Sequence, residues 1–272
     1  MANDALTFAR ADGAKYAFRR VEIGDDITAV PSWSVGKVNQ AYLNFNFNPR
    51  GIIWRSLLSY EIRHVNSAFG SDATFTRLQG ALRFWIPNQR GDGFYFRLFH
   101  GTFLQQGDDK PLQYLFSAFD ANPVEQFETF YLRSRGALPA EAHYHRPGGG
   151  NLRGYFDQPE RAGKSLLAAN LELRKSLRLP ILGRLLAPVL GNSTLAAFFD
   201  TGRFKDLSDK SRQLSDAGVG ITFNKIVPDA WYSFIIGTNY TIRLDFPLWV
   251  SRPRANQDKL EFRYVLSFQP AL

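Results

Sequence analysis

Long stretches of this chain alternate strictly between apolar and polar side chains, and this alternation restricts its fold more than any other feature. In residues 42–48, Leu43, Phe45 and Phe47 alternate with asparagines. The same period of two recurs in four further segments: residues 54–63, 74–86, 164–174 and 259–268. A period of two places successive side chains on opposite faces of a β-strand. The alternation therefore predicts strands with one apolar and one polar face.

The length of these segments distinguishes a membrane strand from an ordinary one. Several run for about ten residues or more, which matches the ~9–11 residues of a tilted membrane-crossing strand. Strands of globular proteins average ~5–6 residues. Charged residues such as Arg77, Glu172 and Arg263 stand in the middle of the polar faces. A hydrated barrel interior permits such charges.

The composition agrees with this interpretation but does not require it. Aromatic residues make up 15% of the chain, whereas the mean hydropathy is −0.25. Apolar and polar residues must therefore be interleaved, as they are in a membrane barrel and also in a soluble sandwich. No run of 18 apolar residues predicts a membrane helix. The absence of cysteine excludes disulfides and thiolate metal sites.

We therefore predict an all-β fold, a closed antiparallel transmembrane β-barrel of about 12 strands in the cell outer membrane. Residues 1–272 are expected to form one domain, with a leader encoded upstream. A long extracellular loop, about 120–163, is expected to fold into the lumen. The predicted strands are roughly 4–11, 14–24, 37–48, 51–64, 73–86, 93–105, 112–119, 164–177, 193–204, 212–224, 232–247 and 258–269.

Several functional classes find little support in the sequence. The net charge is +8, but the basic residues are scattered without a basic block, so we expect no nucleic-acid partner. His143 and His145 alternate as metal ligands do, although no third ligand has a clear spacing, and a solvated loop or aromatic rim explains them better. Neither G-x-S-x-G nor H-E-x-x-H occurs. We expect no enzyme activity, no metal site and no cofactor.

A glycine-rich segment, GGGNLRGY at residues 148–155, stands in the longest irregular part of the chain. Its spacing matches neither of the common phosphate-binding patterns. It is either a flexible surface loop or a loop folded back into the barrel. Asp200, in LAAFFDTG, shares a strand face with Ala196 and Phe198. A lumenal carboxylate needs a partner or water, and an arginine from an infolded loop would supply a bidentate one.

The order of motifs in the C-terminal half resembles the bacterial surface antigen superfamily of outer-membrane barrels. The motifs are PGGGNLRGY, NLELRKSL, FFDTG, GVGITF, RLDFPL and an aromatic-rich terminal strand, which together cover roughly residues 147–268. That superfamily includes the BAM and TAM assembly pores and two-partner secretion transporters. Its members carry POTRA domains ahead of barrels with more strands than we count in this chain, where no POTRA domain is visible.

The resemblance implies specific roles for named residues. The lid-loop motif would comprise Gly149, Gly150, Arg153, Gly154 and Tyr155, and Arg153 would pair with the inward Asp200. The terminal-strand signal would consist of Phe262, Tyr264, Leu266 and Phe268. Independently of the resemblance, the alternation places a ladder of charges on the inward face, which would either stiffen the barrel or line a pore: Glu172, Arg174, Arg243, Asp245, Glu261 and Arg263.

The leading function by resemblance is therefore membrane insertion or translocation of polypeptide, through a seam between the first and last strands. Two alternatives remain open. The barrel is a membrane anchor or display module for an N-terminal enzyme domain, or it is a passive pore. The expected partners are lipids of the outer membrane, with lipopolysaccharide and an unfolded client polypeptide as candidates.

Overall fold

The computed structural model describes thirteen parts of the chain. They are residues 2–11, 14–23, 36–51, 53–87, 92–107, 116–118, 130–133, 149–155, 161–176, 193–206, 208–224, 240–255 and 257–270.

These residues contain fourteen β-strands and very little helix. The strands are β1 (Ala2–Ala11), β2 (Ala14–Ile23), β3 (Gly36–Phe47), β4 (Arg55–Val65), β5 (Phe75–Pro87), β6 (Gly93–Gln106), β7 (Phe116–Ser117), β8 (Phe130–Arg133), β9 (Ala162–Gly163), β10 (Ser165–Ser176), β11 (Ser193–Lys205), β12 (Ser211–Asn224), β13 (Tyr240–Val250) and β14 (Val265–Pro270). Short 3₁₀ turns occur at Ser67–Phe69 and Arg153–Tyr155. No helix in the described parts has both the length and the apolarity that a membrane crossing requires.

Twelve of these strands form one antiparallel sheet in the order β1-β2-β3-β4-β5-β6-β10-β11-β12-β13-β14-β8. β7 and β9 form a separate two-stranded sheet. Neighbours in the large sheet are also neighbours in sequence, except where β6 pairs with β10 and where β14 pairs with β8. The sheet is thus an up-and-down meander, and the connection between β6 and β10, here called the long excursion, contains β7, β8 and β9.

The two faces of the sheet have opposite character, and the distribution is inverted relative to a soluble protein. On the apolar face the large side chains are exposed, as at Leu173 with 61% exposure and Phe199 with 39%. On the polar face Asp200 is 0% exposed and Arg77 is 1% exposed. A protein in water would bury the leucines and expose the charges. The exposed apolar face needs an apolar surrounding.

Short segments of the long excursion cover part of the polar face. The backbone amide of Ala118 donates to the carbonyl of Arg161, and the amide of Leu152 donates to the carbonyl of Ala118. Phe116 and Leu152 are both fully buried. Together with Ala118 and Tyr155 of the covering segments, they pack into one apolar cluster with residues of the polar face: Ala81, Phe99, Leu166, Ala168, Phe204, Leu214, Val250 and Val265. This packing fixes the covering segments against the sheet.

The structure corrects several predicted elements. The predicted strand at 112–119 is reduced in the described residues to the two-residue β7, which lies outside the large sheet. Phe130–Arg133 was predicted as loop but forms β8 against β14. The last predicted strand began too early, because residues 261–264 precede β14. The seam was also predicted between the first and last strands, whereas β8 lies beside β14 at that edge of the sheet.

Other predictions concern residues that lie outside the described parts of the chain, or strand pairs that are not seen among the described residues. Pairing between β1 and β8 is not seen in the described residues, so closure and the total number of strands stay predictions. Most of the predicted lid loop, including His143 and His145, lies outside the described residues. The described part of that loop includes residues 149–155, which contain the predicted motif.

Candidate functional site: the Arg153 cluster

The loop at residues 149–155 reaches the polar face through two close backbone approaches. A Cβ atom added to Gly149 would lie 2.5 Å from the Phe99 ring, and one added to Gly150 would lie 1.9 Å from the carbonyl oxygen of Ala118. Asn151 then adopts a left-handed conformation with φ of 52°, which asparagine tolerates better than most residues. The glycines therefore allow the chain to descend onto the sheet, and the 3₁₀ turn follows immediately.

Arg153, the first residue of that turn, forms a bidentate ion pair with Asp200 of β11. Its Nε lies 2.8 Å from one carboxylate oxygen of Asp200, and its Nη2 lies 2.9 Å from the other. Its Nη1 lies 3.0 Å from Glu172 and 3.5 Å from Asp245. The guanidinium also lies 3.6 Å from the centre of the Phe198 ring. All three nitrogens of the guanidinium are thus used while the side chain is buried.

These contacts keep Arg153 charged in a buried position. Burial by itself would lower the pKa of Arg153, but the carboxylates of Asp200, Asp245 and Glu172 oppose this and raise it well above its usual range. A buried guanidinium is stable only when carboxylates surround it in good geometry. The loop is therefore held by a permanent charge that no ordinary change of pH removes.

Three further side chains from the sheet complete the cluster. Arg243 of β13 donates to both carboxylates that flank Arg153, at 2.7 Å from Glu172 and 2.7 Å from Asp245. Arg174 donates to Glu172. Asn170 donates to Asp200 at 3.0 Å and to the carbonyl oxygens of Gly150 and Asn151. Three arginines thus balance three carboxylates, and Asn170 ties the loop backbone to the same site.

Asp216 of β12 is a fourth carboxylate at this site, and it is the one without a matching cation. It lies directly opposite Asp200 in the register of β11 and β12 and is 0% exposed. Neither of its carboxylate oxygens has a hydrogen bond of ordinary geometry within the described residues, although the amide of Gly154 lies beside it. A buried carboxyl group without a cation or hydrogen-bond partner is costly to ionise.

Gly154 and Tyr155 hold the far side of the loop. A Cβ added to Gly154 would lie 2.5 Å from Val250 and 2.7 Å from the Cβ of Asp216, so no larger residue fits without a shift. The hydroxyl of Tyr155 lies 3.1 Å from the carbonyl oxygen of Ser215 and 2.9 Å from the hydroxyl of Ser251. It also accepts from the backbone amide of Arg252 at 3.1 Å. The loop is thus anchored to β11 by its arginine and to the end of β13 by its tyrosine.

The structure divides the predicted ladder of charges into two groups. Glu172, Arg174, Arg243 and Asp245 join Arg153. Glu261 and Arg263 instead pair with each other at 3.0 Å, and Arg263 also donates to the carbonyl oxygen of Asp258. These two residues precede β14, at a point where the chain has left the regular strand ladder.

The predicted terminal-strand residues are also divided. Phe262 and Tyr264 precede β14, and the Phe262 ring packs 5.6 Å from that of Phe246. Leu266 and Phe268 lie within β14 and pair with Leu244 and Ile242 of β13.

Sequence reasoning placed Asn170 on the polar face without giving it a role at the site, and it missed Asp216. Asn170 stands two positions before Glu172 on the same face, so the alternation of NLELR contained the signal. Asp216 alternates with Gly218 and Gly220 in SDAGVG, which places it on the polar face as well. Among the described residues no group of histidines and acidic side chains is arranged to hold a metal ion. The site is a set of ion pairs.

Comparisons with known proteins give a fold but no family. No family model and no curated protein matches this chain. Among solved structures, BamA from Haemophilus ducreyi lacking POTRA domains 1–3 is similar over 97% of this chain and 53% of that chain, with a TM-score of 0.53 and 13% identity. The chain thus spans about half the length of the BamA structure.

Two further solved structures have lower scores. Acinetobacter baumannii OccAB3 matches 97% of this chain and 53% of its own, with a TM-score of 0.42 and 9% identity. A BenF-like porin from Pseudomonas fluorescens Pf-5 matches 98% of this chain and 59% of its own, with a TM-score of 0.39 and 11% identity.

The likeness to BamA and the inverted surface of the sheet lead to the same conclusion. A sheet with an exposed apolar face and a buried charged face requires lipid on one side and water or protein on the other. The chain has the fold of an outer-membrane β-barrel protein and belongs in an outer membrane.

Proposed function

We propose that this chain is the barrel of an outer-membrane protein of the bacterial surface antigen superfamily, and that it inserts or translocates polypeptide. One observation carries the proposal. Arg153 of the RGY motif forms a bidentate ion pair with Asp200 of the FFDTG motif, although 47 positions separate them in sequence. The two motifs that carry the resemblance therefore meet at one buried site.

In this proposal the loop at residues 149–155 is a lid that sets the shape of the barrel. The polar face lines the lumen, and the lid crosses it from β11 to the end of β13. Arg153 links β10, β11 and β13 through Glu172, Asp200 and Asp245. Because these strands carry the C-terminal motifs, docking of the lid fixes their relative positions. Undocking would free them to move.

The pairing of the strands supports an opening near the C-terminal end of the sheet. β10 pairs with β11 at twelve positions, and β11 pairs with β12 at thirteen. Among the described residues, β14 pairs with β13 at six positions and with β8 at four, and Leu260, ahead of β14, adds one bridge to Trp249. Fewer backbone hydrogen bonds must break to separate β14 than to separate the central strands. We propose that a client strand would enter there, beside β14.

The apolar face defines the remaining partners. Its exposed leucines and phenylalanines would contact acyl chains of the outer membrane, including those of lipopolysaccharide. We propose no catalytic step and no cofactor, because every group in the cluster acts as a charge or a hydrogen-bond donor toward another group of the protein.

The test is a folding assay with the full-length protein in liposomes. An unfolded outer-membrane barrel is added as client, and its membrane insertion is followed by the protease-protected fraction. The protein should accelerate insertion, and Arg153→Ala should remove most of this acceleration. Arg212→Ala is the matched control, because Arg212 forms an exposed ion pair with Asp206 at 3.1 Å, outside the cluster.

The alternatives give different results in the same liposomes. A passive pore would leave client insertion unaccelerated and release entrapped small solutes. An anchor for an enzyme domain would do neither, and the full-length sequence would contain a hydrolase. Either result would reject the insertion proposal.

A further inference from the structure

The apolar face of β11 changes character near the end of the strand. Exposed and buried side chains alternate along β11, so its exposed residues lie on one face: Leu195, Ala197, Phe199, Arg203 and Lys205. Thr201, which is half-buried, stands between the apolar residues and the two cations on the same face. The face that should contact lipid therefore ends in two exposed positive charges.

The facing strand becomes polar at the same level. Opposite Thr201, Arg203 and Lys205, the register places polar residues of β12: Ser215, Gln213 and Ser211. The preceding apolar residue of β11, Phe199, pairs with Ala217, and Ala217 pairs with Trp249 of β13. Tryptophan is enriched where the hydrocarbon region of a membrane meets water. The edge of the hydrocarbon region therefore lies between Phe199 and Arg203.

The turn between β11 and β12 is held by its first carboxylate. Asp206 accepts hydrogen bonds from the backbone amides of Ser208 at 2.9 Å and Lys210 at 3.0 Å. Its second carboxylate oxygen lies 3.1 Å from Arg212. Asp206 is thus occupied by the turn itself and by a cation of β12.

The second carboxylate of the turn is also engaged. Asp209 lies 3.6 Å from Lys164, ahead of β10. Arg203 donates to the hydroxyl of Ser211, and this hydrogen bond holds its side chain against β12. Both acidic residues of the turn therefore pair with cations other than Arg203 and Lys205.

A cation at the opposite end of the same face is treated differently. Lys175 of β10 lies opposite Leu195, and its side chain is 76% exposed. Its ammonium lies 2.6 Å from the buried carboxylate of Asp92. The protein thus supplies a carboxylate for the cation at that end.

We propose that Arg203 and Lys205 bind the phosphate group of an anionic membrane lipid. Arginine binds phosphate through a planar fork of donors, and lysine adds a point charge. Leu167 of β10 pairs with Arg203 and is 50% exposed, and Phe199 lies on the membrane side of both cations. A lipid would therefore place its headgroup on the cations and its acyl chains on these apolar side chains.

The apolar contacts distinguish a lipid from free phosphate, because burial of acyl chains adds to the attraction between the charges. The inference does not depend on the proposed function. A pore, an anchor and an insertion barrel would each have this face in a membrane.

The test uses the folded chain in an uncharged detergent, with phosphatidylglycerol as the probe and phosphatidylcholine of the same acyl chains as the comparison. Native mass spectrometry resolves the lipid-bound states and gives the Kd of the first lipid. Phosphatidylglycerol should bind more tightly than phosphatidylcholine. Arg203→Gln and Lys205→Gln should each weaken phosphatidylglycerol binding about fivefold, the scale of one cation near an anionic lipid surface.

Lys175→Gln is the matched control, because it removes one cation from the same face at the other end. It should leave the affinity for phosphatidylglycerol unchanged. Equal weakening by this control would show that net charge alone attracts the lipid, and it would overturn the proposal. Wild-type affinity in both Arg203→Gln and Lys205→Gln would overturn it as well.

Two further measurements need no variant. The preference for phosphatidylglycerol should decrease as sodium chloride is added, because salt screens exposed charges, and equal affinity for the two lipids would contradict the proposal. Glycerol phosphate, a soluble analogue of the headgroup, should not displace the lipid at an equal concentration. If it does, the cations bind free phosphate, and the assignment to a lipid is wrong.

Discussion

Removal of Arg153 is the perturbation whose effect the structure defines best. Arg153→Ala would leave the carboxylates of Asp200, Glu172 and Asp245 buried with one fewer cation between them. Breaking a buried ion pair from one side costs about 3–5 kcal/mol, because the remaining charge is left uncompensated. Arg243 still compensates Glu172 and Asp245, so the loss should come mainly from Asp200. We therefore expect a loss in this range in the free energy of unfolding.

The double-mutant cycle with Asp200→Ala separates the ion pair from other effects. If Arg153 and Asp200 act as one unit, the double variant should lose less stability than the sum of the single variants, by about 1–3 kcal/mol. The assay is urea unfolding in lipid vesicles, followed by tryptophan fluorescence. Arg212→Ala should cost less than about 1 kcal/mol, because its ion pair is exposed. Additivity of the two single losses within about 0.5 kcal/mol would refute the pairing.

Three further predictions concern the same site. Asp216→Asn should preserve or raise the unfolding free energy, because the amide keeps the shape of the side chain and cannot become a buried charge; a loss similar to that of Arg153→Ala would contradict this. Gly154→Ala should lower the free energy of unfolding by about 1–3 kcal/mol, since the new methyl group would overlap the atoms beneath the loop. Urea unfolding followed by tryptophan fluorescence would measure this loss. Tyr155→Phe should cost about 1–2 kcal/mol by loss of the hydroxyl that Ser251 shares, and the double variant with Ser251→Ala should show non-additive losses.

The sequence predicted the strands well where alternation was strict. β10 and β11 follow the predicted segments closely, because each alternates without interruption between apolar and polar residues. The sequence failed at 112–119 and at Phe130–Arg133, since short segments in a long excursion carry no period long enough to fix their partners. The position of β8 beside β14 depends on a contact between distant parts of the chain.

The main ion pair of the site could be predicted from the sequence, whereas its supporting contacts could not. Arg153 and Asp200 were paired on the motifs alone, and the structure places them 2.8 Å apart. The role of Asn170 depends on its distance from the loop backbone, which only the packed structure supplies. Glu261 and Arg263 were assigned to the same ladder by parity along the strand, but parity fails where the chain leaves the strand before Val265.

The apolar face of the sheet should contact lipid, and the charged face should not. Because the chain contains no cysteine, single labels can be placed at Leu171→Cys and Leu173→Cys on the apolar face, and at Arg83→Cys on the polar face. In vesicles that contain brominated lipid, a fluorophore at the two leucine positions should be quenched, and one at position 83 should remain bright. Equal quenching at all three positions, or quenching at position 83 alone, would contradict the account.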